Sequence, residues 1–250
     1  MDNVTRARNR IGKKYISNEG LEMEIIECFN STNCTIRFKN GVTLKNRNYE
    51  KIKAGKVKNP YFPSVYNIGF IGEGNIIKNI NGKHTEAYQQ WTGMLERCYD
   101  EKFHLRHPTY KNCTVTKEWL NFQNFGEWFE KNYIESYHLD KDILIKGNKV
   151  YSPITCCFVP QEINKLLQKS DKIRGKYPIG VRMTVNSLQA SITINGKYNY
   201  LGAFKNINDA FLAYKQAKEQ YIKEIADKFK DRISFPVYYT LMHYNVEITD

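Results

Sequence analysis

The sequence predicts an α+β chain made of several small modules, and three observations predict it. The chain has 250 residues, 41% hydrophobic and 14% aromatic, which is ample for folded cores and too long for one small domain. Apolar residues alternate or run together in short stretches near both ends, broken by Asn40-Gly41 and Asn195-Gly196, a pair that favours tight hairpins. Between those ends, apolar residues recur at three- and four-residue spacings, the period of amphipathic helices. The expected order is an N-terminal small β-barrel or sheet, a central helical module, and a C-terminal three-stranded antiparallel sheet packed on one helix.

Residues 1–60 form the first module. Glu22 to Phe29, Thr35 to Phe38 and Val42 to Leu44 read as strands, opened by the basic run Arg6, Arg8, Arg10, Lys13 and Lys14. Such an arm can lie along phosphates, where each neutralised charge releases a counterion, or can serve as a solvating tail. Residues 61–86 are rich in Gly and Asn and read as a linker or irregular loop.

The central module is taken as residues 87–170. Tyr88, Trp91, Met94, Leu95 and Cys98 define a helix from Thr85 to Tyr99, and Phe122, Phe125, Trp128 and Phe129 a second from about Trp119 to Tyr133. Trp119 and Trp128 could stack on bases, but an aromatic stripe at helical spacing is read as core. Cys98, His104, His107 and Cys113 carry ligand-type side chains, yet zinc ligands pair across tighter turns and His107 precedes Pro108 in a loop. A zinc site is not expected. With no Cys-x-x-Cys pair and no secretion signal, neither is a disulfide framework.

The chemistry concentrates between Tyr137 and Leu167. Leu139-Asp140-Lys141-Asp142-Ile143-Leu144 is followed by Gly147-Asn148, Tyr151-Ser152-Pro153-Ile154-Thr155-Cys156-Cys157-Phe158 and Ile163-Asn164. This series resembles the core of the phage-type HNH-like (ββα-metal) endonucleases, in which two strands and a helix carry the site. The preceding Trp91-x-x-Met94-x-x-Arg97-Cys98-Tyr99, Tyr110, Val115 and Glu118-Trp119-x-x-Phe122-x-x-Phe125 extend the likeness over about Tyr88 to Leu167. The resemblance implies Asp140 and Asn164 as ligands of Mg2+ or Mn2+, hard cations suited to oxygen donors. Lys141 stands where the family has its catalytic His, and Thr155 where it has the Asn that orients that His. A lysine beside carboxylates stays protonated and grips phosphate rather than acting as a base. His138, two residues before Asp140 and on the same strand face, is a candidate displaced base. A working endonuclease and a frame retained without activity both remain open at this point.

Residues 171–233 form the C-terminal module, with 234–250 as a tail. Gly180-Val181-Arg182, Leu188 to Ile194, and Tyr198-x-Tyr200-Leu201-Gly202-x-Phe204 read as three strands, and Asn206 caps a helix carrying Ala210, Phe211, Tyr214, Ala217, Tyr221, Ile225 and Phe229. Gly-Val-Arg, Ala190-x-Ile192, Leu201-Gly202-x-Phe204 and Ala210 to Tyr214 resemble the Apetala2-type DNA-binding domain, whose sheet enters the major groove. Carried across, Arg182, Gln189, Ser191, Thr193, Tyr198 and Tyr200 become the candidate DNA contacts; the N-terminal basic run separately offers Arg6, Arg8 and Arg10 as phosphate contacts. The tail from Phe235 is apolar enough for a docking strand or an oligomer contact, or packs back onto its own domain.

Charge agrees with a polyanionic partner. The formal net charge is +12 and the pI about 9.3, with 13 basic against 6 acidic residues in 1–60 and 8 against 4 in 137–176. No apolar run is long enough to span a membrane, and a bacterial host cytoplasm is the expected location. The expected function is a phage- or prophage-type protein that binds double-stranded DNA and nicks or cleaves it with a metal ion if the frame is active. An inactive DNA-binding regulator or blocker, and a phage protein that binds a host protein or small ligand, are the alternatives.

Overall fold

The computed structural model describes residues 3–167 and 176–249. It is a mixed helix and strand fold with several small sheets, the α+β class. The chain divides into two compact units. One takes the chain up to Lys111 together with Lys117–Glu127, and the other takes Asn112–Thr116 and everything from Trp128 on.

The first unit opens with a short helix α1 (Asn3–Arg8), followed by β1 (Lys14–Ile16), β2 (Glu22–Cys28), β3 (Cys34–Phe38) and β4 (Thr43–Arg47), a four-stranded antiparallel meander in chain order. Met23 and Ile25 on β2 and Ile36 and Phe38 on β3 are fully buried, so one face of the sheet carries the core. Helix α2 (Tyr49–Lys53), capped by Asn48, closes that face with Ile52. Gly41 takes φ +90° in the β3–β4 turn, a conformation open to glycine at no steric cost. Cys28 and Cys34, opposite one another in the β2–β3 register, form a disulfide. This local cross-link was not expected from the sequence, and the hairpin register is what brings the two together.

The Gly- and Asn-rich stretch is irregular but tied down. Its main chain makes a small hairpin, β5 (Asn79–Ile80) and β6 (Lys83–His84). The Gln123 side chain accepts from Ile76 N at 2.9 Å and donates to the carbonyls of Ile71 and Ile76. Gly69 sits so close to Leu95 and Trp91 that a Cβ there would lie 2.4 Å from Leu95 Cδ1. Helix α3 (Glu86–Tyr99), capped by Thr85, buries Trp91, Met94, Leu95 and Cys98, and Trp91 Nε1 donates to Trp119 O at 2.7 Å. A short helix α4 (Glu101–Arg106) follows.

In the second unit β7 (Thr114–Val115) pairs in parallel with β9 (Val150–Tyr151). Helix α5 (Phe122–Asn132) begins in the first unit and ends in the second, and it starts later than its aromatic spacing predicts, because Lys117–Leu120 is a 3-10 turn and Asn121 Oδ1 accepts Gln123 N. Trp119, Phe122 and Phe125 are fully buried, so this stripe is core. Strand β8 (Tyr137–Asp140) pairs antiparallel with β10 (Cys157–Pro160), and α6 (Gln161–Leu167) follows β10 directly.

The remaining elements are β11 (Val181–Met183), β12 (Leu188–Ile194), β13 (Lys197–Phe204), the 23-residue α7 (Ile207–Phe229) and α8 (Phe235–Met242). The three strands form one antiparallel sheet in that order. Asn195 and Gly196 both take positive φ, the requirement of a two-residue hairpin turn matched to strand twist. Asn206 Oδ1 accepts Asp209 N at 2.9 Å and starts α7. The tail packs as a helix, with Val237 and Leu241 fully buried, so its apolar residues serve its own unit.

The boundary expected at residue 170/171 lies outside the described residues. On either side of it, Ile143, Val159 and Ile163 share one core with Ala190, Ile192, Phe211, Ile225, Phe229 and Val237. Polar links follow the same seam: Lys228 pairs with Glu162 at 2.6 Å, and Lys218 Nζ donates to Leu166 O at 2.7 Å, satisfying a carbonyl in the last turn of α6. No helix among the described residues is long and apolar enough to cross a membrane.

Candidate functional site

Two clusters of the second unit hold all the candidate residues except Arg6, Arg8 and Arg10. In the first, β8 ends at Asp140, opposite Cys157. Asp140 Oδ1 accepts the backbone N–H groups of Asp142 and Ile143, each at 2.8 Å, which turns the chain sharply and drops Ile143 into the core. Burial, then the negative charge of Asp142, push the Asp140 carboxyl up to about 6, against the pull of the two amides.

Lys141 is 7% exposed. Its Nζ lies 3.0 Å from Asp142 Oδ2 and 5.8 Å from the centre of the Tyr151 ring. Burial is the largest influence on this amine and lowers its pKa, but Asp142, Cys113 and Asp140 together outweigh it and the net shift is upward. Lys141 is therefore an ammonium turned into the protein. Thr155 spends its hydroxyl on its own turn, 2.7 Å from Ser152 Oγ and 2.8 Å from Val150 O. His138 is exposed on β8, and Asn164 is half-buried on α6, which packs on both strands. Among the described residues, no hydrogen bond joins His138, Thr155 and Asn164 to one another.

Asp142 and Asn148 complete this cluster, and neither was among the expected site residues. Asn148 Nδ2 donates to the carbonyls of Lys141 and Val150, at 2.6 and 2.7 Å, and pins the loop after Asp140. The Asp140-x-Asp142 spacing was the signal for the first. Cys156 and Cys157 are buried beside Asp140, and desolvation pushes the Cys156 thiol up to about 12 and that of Cys157 higher still. Both stay protonated and unreactive at neutral pH.

These donors fit a divalent ion poorly. The Asp140 oxygen Oδ1 is already shared by two amides, and the Lys141 ammonium supplies the positive charge beside Asp142 that a cation would otherwise bring. Among the described residues, no group of three or more His, Cys, Asp or Glu side chains is arranged to hold a metal ion. The ring nitrogen Nε2 of His104 lies 2.9 Å from Arg97 O, and the His107 ring packs on Phe103 at 4.5 Å.

The second cluster is the sheet face turned away from α7. The register places Arg182 opposite Gln189, Ser191 opposite Tyr200, and Thr193 opposite Tyr198, so all six candidate side chains share one face. Ala190 and Ile192, between them on β12, are buried against α7. Arg182 Nη2 donates to Gln189 Oε1 at 3.0 Å and to Tyr198 Oη at 3.2 Å, and its guanidinium lies 5.7 Å from the Tyr198 ring centre. Tyr198 and Tyr200 are each 54% exposed. Gly180 sets the start of β11: it takes φ +75°, and a Cβ there would fall 1.9 Å from the Tyr214 ring. At the β11–β12 tip Val185 is almost fully exposed, an apolar protrusion that the residue pattern did not flag.

The N-terminal basic residues belong to the first unit. Arg6 and Arg8 are exposed on α1, whereas the Arg10 guanidinium lies 4.1 Å over the Tyr49 ring and is committed to packing. No protein-family model, no characterised protein and no solved structure matches this chain, so its chemistry has to be argued from these side chains alone.

Proposed function

We propose that the protein binds double-stranded DNA through the exposed face of β11–β13 and that the β8–β10–α6 frame serves as a structural support for that sheet. The observation that carries this reading is the Arg182–Gln189–Tyr198 cluster. A guanidinium held by a glutamine and a tyrosine on a solvent-facing sheet is oriented before any ligand arrives, which lowers the entropic cost of gripping a phosphate or a base edge. The net charge of +12 supports a polyanionic partner. A twisted ribbon of strands fits the major groove, where Arg and Gln are common readers of base edges. The reading describes a phage- or prophage-type DNA-binding regulator or blocker, working in the host cytoplasm.

Fluorescence anisotropy with a labelled duplex tests it. Wild-type protein should bind, lose affinity as salt rises, and be displaced by excess random duplex. Arg182→Ala should weaken binding about 5- to 150-fold, the equivalent of about 1–3 kcal/mol for one contact of this kind. Absence of duplex binding would sink the proposal and leave a host protein or small ligand as the partner.

A second reading keeps the frame as an HNH-like endonuclease. It is favoured by the Asp140-x-Asp142 spacing, which places two carboxylates, the oxygen donors that suit Mg2+ or Mn2+, on one turn. Asn164 would add an oxygen, and the exposed His138 would be the group available to take a proton from water. Nicking of supercoiled plasmid that needs the metal and disappears in Asp140→Ala would establish it. Intact plasmid despite binding would leave the frame a structural role.

A further inference from the structure

The first unit carries an open cleft of about 380 Å3 between the end of β4, α2 and the chain that follows it. Its lining includes Arg47, Lys51, Lys56 and Lys58, with Thr32 and Asn48, and no Asp or Glu. All four cations are exposed, yet they are not randomly placed. Val57 and Asn59 are buried, so the alternation of an extended chain turns Lys56 and Lys58 outward on the same side. Asn59 fixes this stretch, with its N–H donating to Glu19 Oε2 at 2.8 Å and its side chain to Asn40 Oδ1 at 3.3 Å. Asn48 Oδ1 accepts the N–H groups of Glu50 and Lys51, which orients α2 and with it Lys51.

Charge pairing sharpens the contrast. Elsewhere on the same sheet Lys14 pairs with Glu22 at 3.0 Å and Arg37 with Glu24 at 3.8 Å, whereas no ion pair among the described residues involves the four cleft cations. Four unneutralised charges drawn from one short stretch of chain repel one another, and an anion relieves that repulsion.

We infer that this cleft binds the backbone phosphates of a nucleic-acid strand, at a site separate from the β11–β13 face. The lining residues favour that occupant over a lipid surface. The apolar residue among them, Val57, is buried, so no exposed apolar group is available to enter a bilayer. No aromatic ring lines the cleft, so its grip rests on charge rather than on base stacking.

The test uses the full chain with Arg47→Gln, Lys51→Gln, Lys56→Gln and Lys58→Gln combined, beside Arg182→Ala. Affinities for labelled duplex, single strand and anionic vesicles would be measured across about 50 to 200 mM salt, where each lost phosphate contact flattens the slope of log K against log salt by about 0.9 for duplex. We expect the fourfold variant to flatten that slope by about 2 to 3.5, while replacement of the same residues by the other basic side chain keeps it. An unchanged slope overturns the inference, and so does a loss confined to vesicles, which would make the cleft a membrane contact. Flattening in the fourfold variant with Arg182→Ala unaffected would support the cleft and sink the sheet as the DNA face. Acetylation of wild-type protein with and without duplex gives a check independent of the variant's folding: Lys51, Lys56 and Lys58 should be protected, and their full reactivity in the complex would overturn the site.

Discussion

The loop after β8 and the outer face of β11–β13 both display a basic residue among polar partners, yet they treat it in opposite ways. Lys141 is folded inward, between Asp142 and the Tyr151 ring, and Oδ1 of Asp140 is taken up by the turn that buries Ile143. Arg182 is held on the outer face by Gln189 and Tyr198 and stays exposed to solvent. A polar group satisfied from within stabilises the fold, and one oriented but left exposed is available to a ligand. The two clusters should therefore answer to different measurements.

The sharpest break comes from Gly180→Ala. A methyl group would meet the Tyr214 ring at a positive φ, so either β11 or α7 must shift, and a loss of about 3 kcal/mol or more is expected in denaturant unfolding. If DNA binding survived that loss undiminished, β11 would have no part in the interface. Next in size is Lys141→Ala, which leaves Asp142 and Asp140 without their cation. We expect about 2 kcal/mol, below the full cost for a buried pair because the Asp142 side chain is 43% exposed. A fully stable variant with altered DNA affinity would place Lys141 with the ligand-facing residues instead.

Asp140 gives the comparison a pH axis. A carboxyl whose folded pKa is about 6 binds its proton more tightly in the folded than in the unfolded chain, where it sits near 4. Its contribution to stability is thus fully present below about pH 4 and is lost as pH rises through 6. Asp140→Asn keeps the oxygen that accepts both amides and removes the charge. Thermal melts should lose part of their decline between pH 4 and 6, and at pH 8 the variant should equal or exceed wild type by up to about 2 kcal/mol. A variant less stable at pH 8 would mean that the ionised carboxylate is needed by the fold. The smallest effect on stability belongs to Arg182→Ala, expected within about 0.5 kcal/mol because the side chain is exposed. Its consequence should appear in binding alone.

Local chemistry made much of this legible from residues. Asn195-Gly196 marks a hairpin because few other pairs accept two positive φ angles, Gly41 supplies the positive φ of the β3–β4 turn, and α7 follows from a cap and an apolar stripe. The outward set on β11–β13 follows from strand alternation alone. What stayed hidden depends on contacts distant in sequence. Nothing around residues 61–83 announces that Gln123 will hold that stretch in place, and the residues beside Lys141 do not say that its amine will turn inward, since Tyr151 and Cys113 complete its surroundings. The tail's apolar residues are compatible with strand or helix, and packing into the second unit's core is what selects α8.

The shared core beneath α6 and α7 has a consequence for dissection. Ile163 and Val159 meet Phe229, Ile225 and Val237 in one apolar interior, and the Glu162–Lys228 pair and the Lys218–Leu166 bond clasp the same seam. Cutting the backbone between Leu167 and Lys176 would sever the chain without parting its halves: the nicked protein should still elute as one particle, and either fragment made alone should seek the other.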